Sequence, residues 1–388
     1  MKKIIIVNNN LKVGGVQKSL YNLLWSIDGE YEITLLLFQK KGEYIHHLPA
    51  NVKVLETDSL FRYLGASQSE CRGIDKLKRG ILAALCLVLS RSRVMQLLLL
   101  SQHTIPGEYD CAIAFLHNGN VKHFYGGVQE LVLHRVKAKK KVAFLHCDYR
   151  NCGANQPKNN QLIGQFNQIA ACSEGCRQAF ISVLPEQETK CITVNNCHRF
   201  KEIRALALEN PIQYDRSCHN IVMVSRLAHE KGIERALSAV AYTADKGIPI
   251  ALHIVGGGPM ESSLRDRAAE LHITDFVHFY GEQSNPYRYM KNADLFLMTS
   301  YHEAAPMVIE EAASLGIPVL TVETTSSEEM VTQRGCGWVC KNSQDALNEM
   351  LVQVLADQNL LQAVRIRLHE NVLDNALALK QFMNMIEG

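Results

Sequence analysis

The segment from Ile221 to Pro259 decides the fold and reads IVMVSRLAHEKGIERALSAVAYTADKGIPIALHIVGGGP. The apolar runs Ile221–Val224 and Ala251–Val255 predict two strands. Glu234–Asp245 lies between them with apolar residues at helical spacing, and the Gly-Ile-Pro at 247–249 marks the end of that helix. A strand, a helix and a second strand form a right-handed crossover, which makes the two strands parallel in one sheet.

The same alternation of short apolar runs and helical patterns extends through most of the chain. Asn195–Asn220 has mixed polarity, separates the two halves of the pattern and is expected to be a linker. We therefore predict an α/β fold in which two doubly wound, Rossmann-like domains, residues 1–197 and 198–370, face each other across a cleft. The other predicted strands are Lys3–Val7, Thr34–Phe38, Cys111–Leu116, Lys141–Leu145, Ile169–Ala171, Ile192–Val194, Val277–Phe279, Leu295–Met298 and Pro318–Val322.

The composition is that of a folded protein without a global charge bias. Of the 388 residues, 47% are hydrophobic and 21% are charged, and the formal net charge is +2. No field of the whole molecule attracts nucleic acid, so we expect no nucleic-acid partner.

The 12 cysteines are scattered, without a Cys-x-x-Cys spacing. A chain of this length can bury an adequate core without disulfides, so we expect reduced, mostly buried thiols and no metal site. The closest pairs, more widely spaced than a usual zinc knuckle, are Cys147/Cys152, Cys172/Cys176 and Cys336/Cys340.

The N-terminal apolar run, Ile4–Val7, is shorter than the roughly 7–15 apolar residues of a secretory signal. It is therefore predicted to be a buried strand, and we expect a cytoplasmic protein. Ile81–Leu100 is the longest apolar stretch, but Arg91 and Arg93 interrupt it, which argues against a transmembrane helix.

The stretch Arg62–Leu100 combines apolar runs with an excess of basic residues. Such a segment can rest on an anionic membrane, which would make the protein peripheral on the inner face of the plasma membrane. The alternative is a solvated face over a core helix. The basic residues are Arg62, Arg72, Lys76, Lys78, Arg79, Arg91 and Arg93.

Residues 300–312, SYHEAAPMVIEEA, follow a predicted strand and enter a helix at Pro306. Free backbone N–H groups at a helix start suit hydroxyls and phosphates, and Glu303 and Glu311 could accept hydrogen bonds from two sets of sugar hydroxyls. Alternatively, glutamates in a first turn only complement the helix dipole, which is our interpretation of Glu310.

Arg226 and Lys231 lie in a strand-to-helix loop, where two cations could hold a pyrophosphate as its charge grows during bond cleavage. From spacing alone, they could equally be solvated cations on an exposed loop. Gly256-Gly257-Gly258 closes the next strand, but a dinucleotide fingerprint would need its third glycine at Glu261, so NAD binding is not expected.

The first half offers weaker signals. Gly14-Gly15 follows the first strand, where small residues let a phosphate approach the backbone, although an ordinary flexible loop has the same composition. No Gly-x4-Gly-Lys-Ser/Thr run occurs, which excludes a P-loop. His146 follows the strand Lys141–Leu145, and a lone histidine is usually structural.

Glu303 to Glu311 resembles the Glu-x7-Glu signature of retaining GT-B glycosyltransferases of glycosyltransferase family 4, and the segment from Arg226 to Lys231 is similar to the diphosphate-binding motif of that family. The resemblance implies that Glu303 holds the donor sugar and that Glu311 binds the ribose. The family usually has glycine after the first glutamate, whereas this chain has Ala304-Ala305, which narrows the sugar pocket.

The resemblance implies further roles for individual residues. The implied catalytic group is Glu303, His146, Arg226 and Lys231, with His146 contacting the donor sugar. A C-terminal helix at 371–388 would pack back on the N-terminal domain. The residues implied in donor binding are Gly14, Gly15, Arg226, Lys231, Gly256, Gly258, Glu303, Ala304, Ala305, Pro306, Met307 and Glu311.

The expected function is that of a retaining hexosyltransferase, which moves a hexose from a nucleotide sugar, with UDP as the expected nucleotide, to a lipid-linked polysaccharide of the capsule or lipopolysaccharide type. Residues 1–197 would bind the acceptor and 198–370 the donor. No Asp-x-Asp occurs, so we expect no metal dependence and no cofactor. The alternatives are an epimerase-like enzyme of the same fold and a non-catalytic sugar-nucleotide-binding protein.

Overall fold

The structure, a computed structural model, describes residues 1–120 and 122–388 and divides into two compact units. The first unit comprises Met1–Cys197 together with Asn375–Gly388, and the second comprises His198–Asp374. Residues 371–374, which the sequence grouped with the C-terminal helix, therefore belong to the second unit. The acceptor and donor roles of the two domains stay predictions.

The elements alternate between strands and helices along nearly the whole chain. In the first unit they are β1 (Lys3–Asn8), α1 (Gly15–Ser26), β2 (Glu32–Leu37), β3 (Lys53–Glu56), α2 (Gly73–Leu89), α3 (Arg91–Leu100), β4 (Tyr109–Ala114), α4 (Val128–Arg135), β5 (Ala138–Leu145), α5 (Pro157–Ile163), β6 (Gln168–Ala171), α6 (Glu174–Ile181) and β7 (Cys191–Thr193).

The second unit follows, and the last helix returns to the first. These elements are α7 (Phe200–Ala207), β8 (His219–Val224), α8 (Ile233–Asp245), β9 (Ile250–Val255), α9 (Glu261–Glu270), β10 (Val277–Phe279), α10 (Tyr287–Met290), β11 (Leu295–Met298), α11 (Met307–Ser314), β12 (Val319–Val322), β13 (Gly337–Cys340), α12 (Gln344–Ala356), α13 (Gln358–Glu370) and α14 (Ala376–Glu387).

Each unit is built on one parallel sheet. Among the described residues, the strand order is β3-β2-β1-β4-β5-β6-β7 in the first unit and β10-β9-β8-β11-β12-β13 in the second. Central strands such as Ile4–Val7 are fully buried, as expected when helices cover both faces. The predicted fold class, two Rossmann-like α/β domains, is confirmed.

The order of the second sheet reverses between β8 and β11, which are hydrogen-bonded neighbours. Ligands of open parallel sheets bind outside the carboxyl ends of the strands at such a reversal. The loops after β8, β9 and β11 are therefore the ones that position a site.

Two edge strands were not predicted, and the expected linker contains a helix. β3 and β13 are four-residue edge strands whose side chains are mostly half-buried or exposed, so they lack the apolar run that indicates a strand. The expected linker contains α7, whose Phe200, Ile203 and Ala207 are buried in the core of the second unit.

One basic residue of the region Arg62–Leu100 does not fit the predicted membrane-facing surface. Contrary to the prediction, Arg91 does not contribute to an exposed basic surface, because it is buried. Its side chain is 4% exposed, and its Nη2 lies 2.8 Å from Glu130 Oε1 and donates to Asn118 Oδ1 at 2.7 Å. Burial of one charge requires a paired partner, so Arg91 holds α3 onto α4. No helix within 1–120 and 122–388 has the length and apolar character needed to span a bilayer.

α14 completes the core of the first unit. Ala378, Phe382, Met385 and Ile386 are buried in the cluster that contains Ile4 and Ile33 of the central strands. Phe382 meets the ring of Tyr31 edge-on, with 6.2 Å between the ring centroids.

We expect Phe382→Ala to lower the free energy of unfolding of the first unit by about 3–5 kcal/mol, because a fully buried ring is removed. Chemical denaturation followed by fluorescence and circular dichroism measures this change. Leu377→Ala on the same helix is the control, since Leu377 is 60% exposed and its loss should be nearly neutral. Equal effects of the two substitutions would contradict this packing.

Candidate functional site

The loops after β8 and β9 lie with their backbones in contact. Ser225 N donates to Val255 O at 3.0 Å, and Leu227 N donates to Gly257 O at 2.9 Å. Gly256 has φ +141°, and a Cβ there would overlap the carbonyl of Ser225. Glycine is therefore required at this position, both for its backbone angle and for the close approach.

The loop after β11 is tied to the same β8 loop. Tyr301 N donates to Glu230 O at 3.0 Å, and Thr299 Oγ1 donates to Gly232 O at 2.8 Å. Gly232 is left-handed at φ +58°, and a Cβ on it would overlap the carbonyl of Thr299. Three strand ends are thus held together by main-chain contacts.

Lys231 and Glu303 form an ion pair on this scaffold. Lys231 Nζ lies 2.6 Å from Glu303 Oε1, and Ser300 Oγ donates to the same oxygen at 2.8 Å. The two side chains are 25% and 14% exposed, so they are shielded from bulk water but accessible to a ligand. Two of the predicted site residues, 72 positions apart along the chain, are therefore in contact.

Arg226 lies on the same loop but in a different environment. Its side chain is 67% exposed and pairs with Glu230, four residues further along the chain. Exposed pairs of this kind contribute about 0.2–1 kcal/mol. The guanidinium can exchange this partner for a phosphate at little cost.

The two glutamates at the start of α11 differ in their partners. Glu310 pairs with His198 Nδ1 at 2.9 Å and with Arg334 Nη1 at 2.7 Å. Burial raises the pKa of Glu310, but these two partners outweigh it and the net shift is downward. Glu310 is thus a structural residue, as the sequence indicated.

Glu311 is buried at 1% exposure, and Pro306 directly precedes the first helical residue, Met307. Ala304 and Ala305 are half-buried in the loop before the helix. The predicted donor residues 303–311 therefore form one continuous loop and helix start next to Lys231.

Three predicted site residues belong to the first unit. His146 stacks near Phe115 and Phe144, with ring centroids 4.6 and 5.6 Å away. Burial, with a smaller effect of His117, lowers the pKa of His146 to about 3, so its ring is neutral at physiological pH. Gly14 and Gly15 form the start of α1, and a Cβ on Gly15 would meet nothing within 4 Å.

The sequence analysis assigned no role to Thr299, Ser300 or Gly232, which orient the ion pair and join the loops. The sequence signal that could have identified Thr299 and Ser300 is their position directly after β11. Hydroxyl residues at the carboxyl end of a parallel strand are candidates for contacts at a site.

Comparison with protein families matches most of the second unit. The family profile described as "Glycosyl transferases group 1" matches residues 218–369, which include every predicted site residue from Arg226 to Glu311. Residues 218–369 are a glycosyl transferases group 1 domain. Gly14, Gly15 and His146 lie outside this group 1 domain.

Two relatives of the group 1 domain have names from lipopolysaccharide and O-antigen synthesis. The chain is 31% identical to lipopolysaccharide glucosyltransferase WaaG of Escherichia coli K12 over 135 residues, which are 34% of this chain and 36% of that protein. It is 29% identical to O-antigen biosynthesis glycosyltransferase WbnH of Escherichia coli over 163 residues, 40% of this chain and 45% of WbnH. The matched region thus spans less than half of each of these relatives.

A solved structure of Anabaena HepE in complex with UDP and glucose resembles the whole chain, with a TM-score of 0.68 and 18% identity over 100% of both chains. This likeness is one of fold, and it agrees with two Rossmann-like α/β domains of the GT-B fold class. The predicted resemblance to family 4 glycosyltransferases is confirmed for the group 1 domain.

Gly256→Ala should destabilise the second unit by at least about 1–3 kcal/mol, because alanine is strained at φ +141° and its methyl group would overlap Ser225. Gly257→Ala is the matched control, since the nearest atom to its added Cβ is 3.5 Å away. Thermal unfolding of both variants measures the difference. An unaltered melting temperature for Gly256→Ala would show that the loops do not need this close approach.

Proposed function

We propose that the protein is a retaining, metal-independent hexosyltransferase that uses a nucleotide sugar, with UDP as the nucleotide, to extend a lipid-linked polysaccharide. The observation that carries this proposal is the Lys231–Glu303 contact inside the group 1 domain. A cation and a carboxylate on strand-end loops suit the diphosphate and the sugar of one donor. The UDP-bound HepE structure supports the choice of nucleotide.

The charges of the site suggest how the donor is held. Lys231 carries three N–H donors, so it can keep its bond to Glu303 and also bind the diphosphate. Arg226 adds a second cation when it leaves Glu230, and Gly256 and Gly258 let the nucleotide approach the backbone. Charge that develops on the leaving diphosphate is then met by fixed cations, without a metal ion.

Glu303 serves to position the sugar in this proposal. Its carboxylate is held by Lys231 and by Ser300, so it accepts hydrogen bonds from hydroxyls of the hexose in a fixed orientation. Glu311 binds the ribose hydroxyls, and the backbone at Ala304–Met307 faces the sugar. The acceptor attacks from the face that the diphosphate leaves, and the leaving phosphate takes its proton. The proposed contact of His146 with the donor sugar would be made by a neutral imidazole.

Glu303→Gln should lower kcat/KM about 100-fold, because the amide cannot replace the charged contact that orients Lys231. Turnover of UDP-, GDP- and ADP-sugars, with and without a glycan acceptor, measures this and separates transfer from epimerisation. Glu261→Gln, which breaks the exposed Glu261–Arg265 pair, is the control and should leave turnover unchanged. Wild-type turnover in Glu303→Gln, or product formation without an acceptor, would contradict the proposal.

A peripheral membrane contact through α2 and α3 forms the second part of the proposed function. These helices expose large apolar side chains next to exposed basic ones, a composition suited to an anionic bilayer surface. The contact would bring a lipid-linked acceptor to the enzyme at the inner face of the plasma membrane. The exposed apolar residues are Ile74, Leu77, Ile81, Leu87, Val88, Leu97 and Leu100.

Charge reversal of Lys76, Lys78 and Arg93 together should abolish flotation of the protein with vesicles that contain anionic lipid, since all three are exposed. Each lost charge removes about 1 kcal/mol of attraction near such a surface. Lys53→Glu, an exposed site on β3 outside the helices, is the control. Unchanged flotation of the triple variant would reject this membrane contact.

A further inference from the structure

A cluster of two thiols and one imidazole lies in the first unit. Cys152 Sγ is 3.0 Å from Cys147 Sγ, and a ring nitrogen of His117 joins them so that all three ligand atoms lie within 4.8 Å of one another. None of the three has a role in the proposed transfer reaction. Nitrogen and sulfur donors in this combination are typical zinc ligands.

The topology of the sheet brings these residues together. His117 follows β4 and Cys147 follows β5, and these two parallel strands are hydrogen-bonded neighbours. Their carboxyl ends therefore meet at one edge of the sheet. The sequence spacing concealed this arrangement, because a five-residue step between cysteines is wider than that of a usual zinc knuckle.

A tight turn returns the chain from Cys147 to Cys152. Asp148 O accepts from Cys152 N at 2.9 Å, and the Asp148 carboxylate accepts from Arg150 N and from Asn151 Nδ2, each at 3.0 Å. Gly153 continues the turn at φ +76°. Cys152 is thus held over Cys147 by local hydrogen bonds before any ion binds.

One atom of the cluster lacks a hydrogen bond. Within residues 1–120 and 122–388, His117 Nδ1 is buried and has no hydrogen-bond partner. A buried polar atom without a partner is destabilising, so such atoms indicate a missing ligand or water. A disulfide between the two cysteines would leave this imidazole unexplained, whereas a metal ion uses all three side chains.

We propose that His117, Cys147 and Cys152 bind one zinc ion through a ring nitrogen and two thiolates, with a solvent molecule in the fourth position. Both thiols release their protons to solvent when the ion binds. Thiolates bound tetrahedrally at about 2.3 Å from zinc are about 3.8 Å apart, so the sulfurs separate by less than about 1 Å. The ion joins the ends of β4 and β5 and fixes the turn beside His146.

The test uses the full chain, reduced and freed of metal with a chelator, and titrated with Co²⁺ without oxygen. We expect one Co²⁺ per chain with thiolate-to-cobalt charge-transfer absorption, displaced by Zn²⁺, and a melting temperature that rises with free Zn²⁺. The half-buried Cys152→Ser should lose the absorption, as should Cys147→Ser. Cys218→Ser, a half-buried thiol of the second unit, is the matched control and should keep it.

Three outcomes would overturn the proposal. They are wild-type protein without charge-transfer absorption, absorption that survives in both Cys147→Ser and Cys152→Ser, and isolated protein that contains a Cys147–Cys152 disulfide and no metal. Circular dichroism shows whether the Cys147→Ser variant is folded, and the Zn²⁺ dependence of wild-type melting tests the site without any variant. No readout uses a sugar donor, so failure here is separate from failure of the proposed transfer reaction.

Discussion

The absence of a Cβ at three glycines is the constraint on which the site in the second unit depends. Gly232, Gly256 and Gly258 each lie where an added methyl group would overlap the main chain of a neighbouring loop. Because these loops are in backbone contact, the positions of Lys231 and Glu303 are set by the ends of β8 and β11 and not by flexible side chains alone. A polar site built on such a rigid base loses little entropy when a ligand binds.

The Lys231–Glu303 pair also explains how the site tolerates its own charge. A half-buried cation such as Lys231 loses hydration, and the neighbouring carboxylate of Glu303 offsets part of that cost. Arg226 does not need such protection because it is mostly exposed and lies next to Glu230. Lys231 is therefore paired in a half-buried position within the loops, whereas Arg226 is paired at the surface.

Much of the fold could be predicted because parallel strands covered on both faces are short apolar runs, and those runs fall within a few residues of the observed strands. β3 and β13 lie at sheet edges and carry mixed side chains, so periodicity did not reveal them. Arg91 was predicted to lie at the surface but is buried, because it pairs with Glu130 on another helix. A local sequence pattern cannot reveal such a partner. The sequence indicated Lys231 and Glu303 separately, but their contact depends on the order of the sheet.

α14 has a consequence for the order in which the molecule assembles. The first unit needs Phe382 and its neighbours to close its hydrophobic interior, yet these residues follow the entire second unit along the polypeptide. During synthesis the first sheet therefore keeps part of its apolar surface uncovered until α14 has emerged from the ribosome. Chaperone dependence and premature termination would therefore affect the N-terminal half more than its early translation suggests.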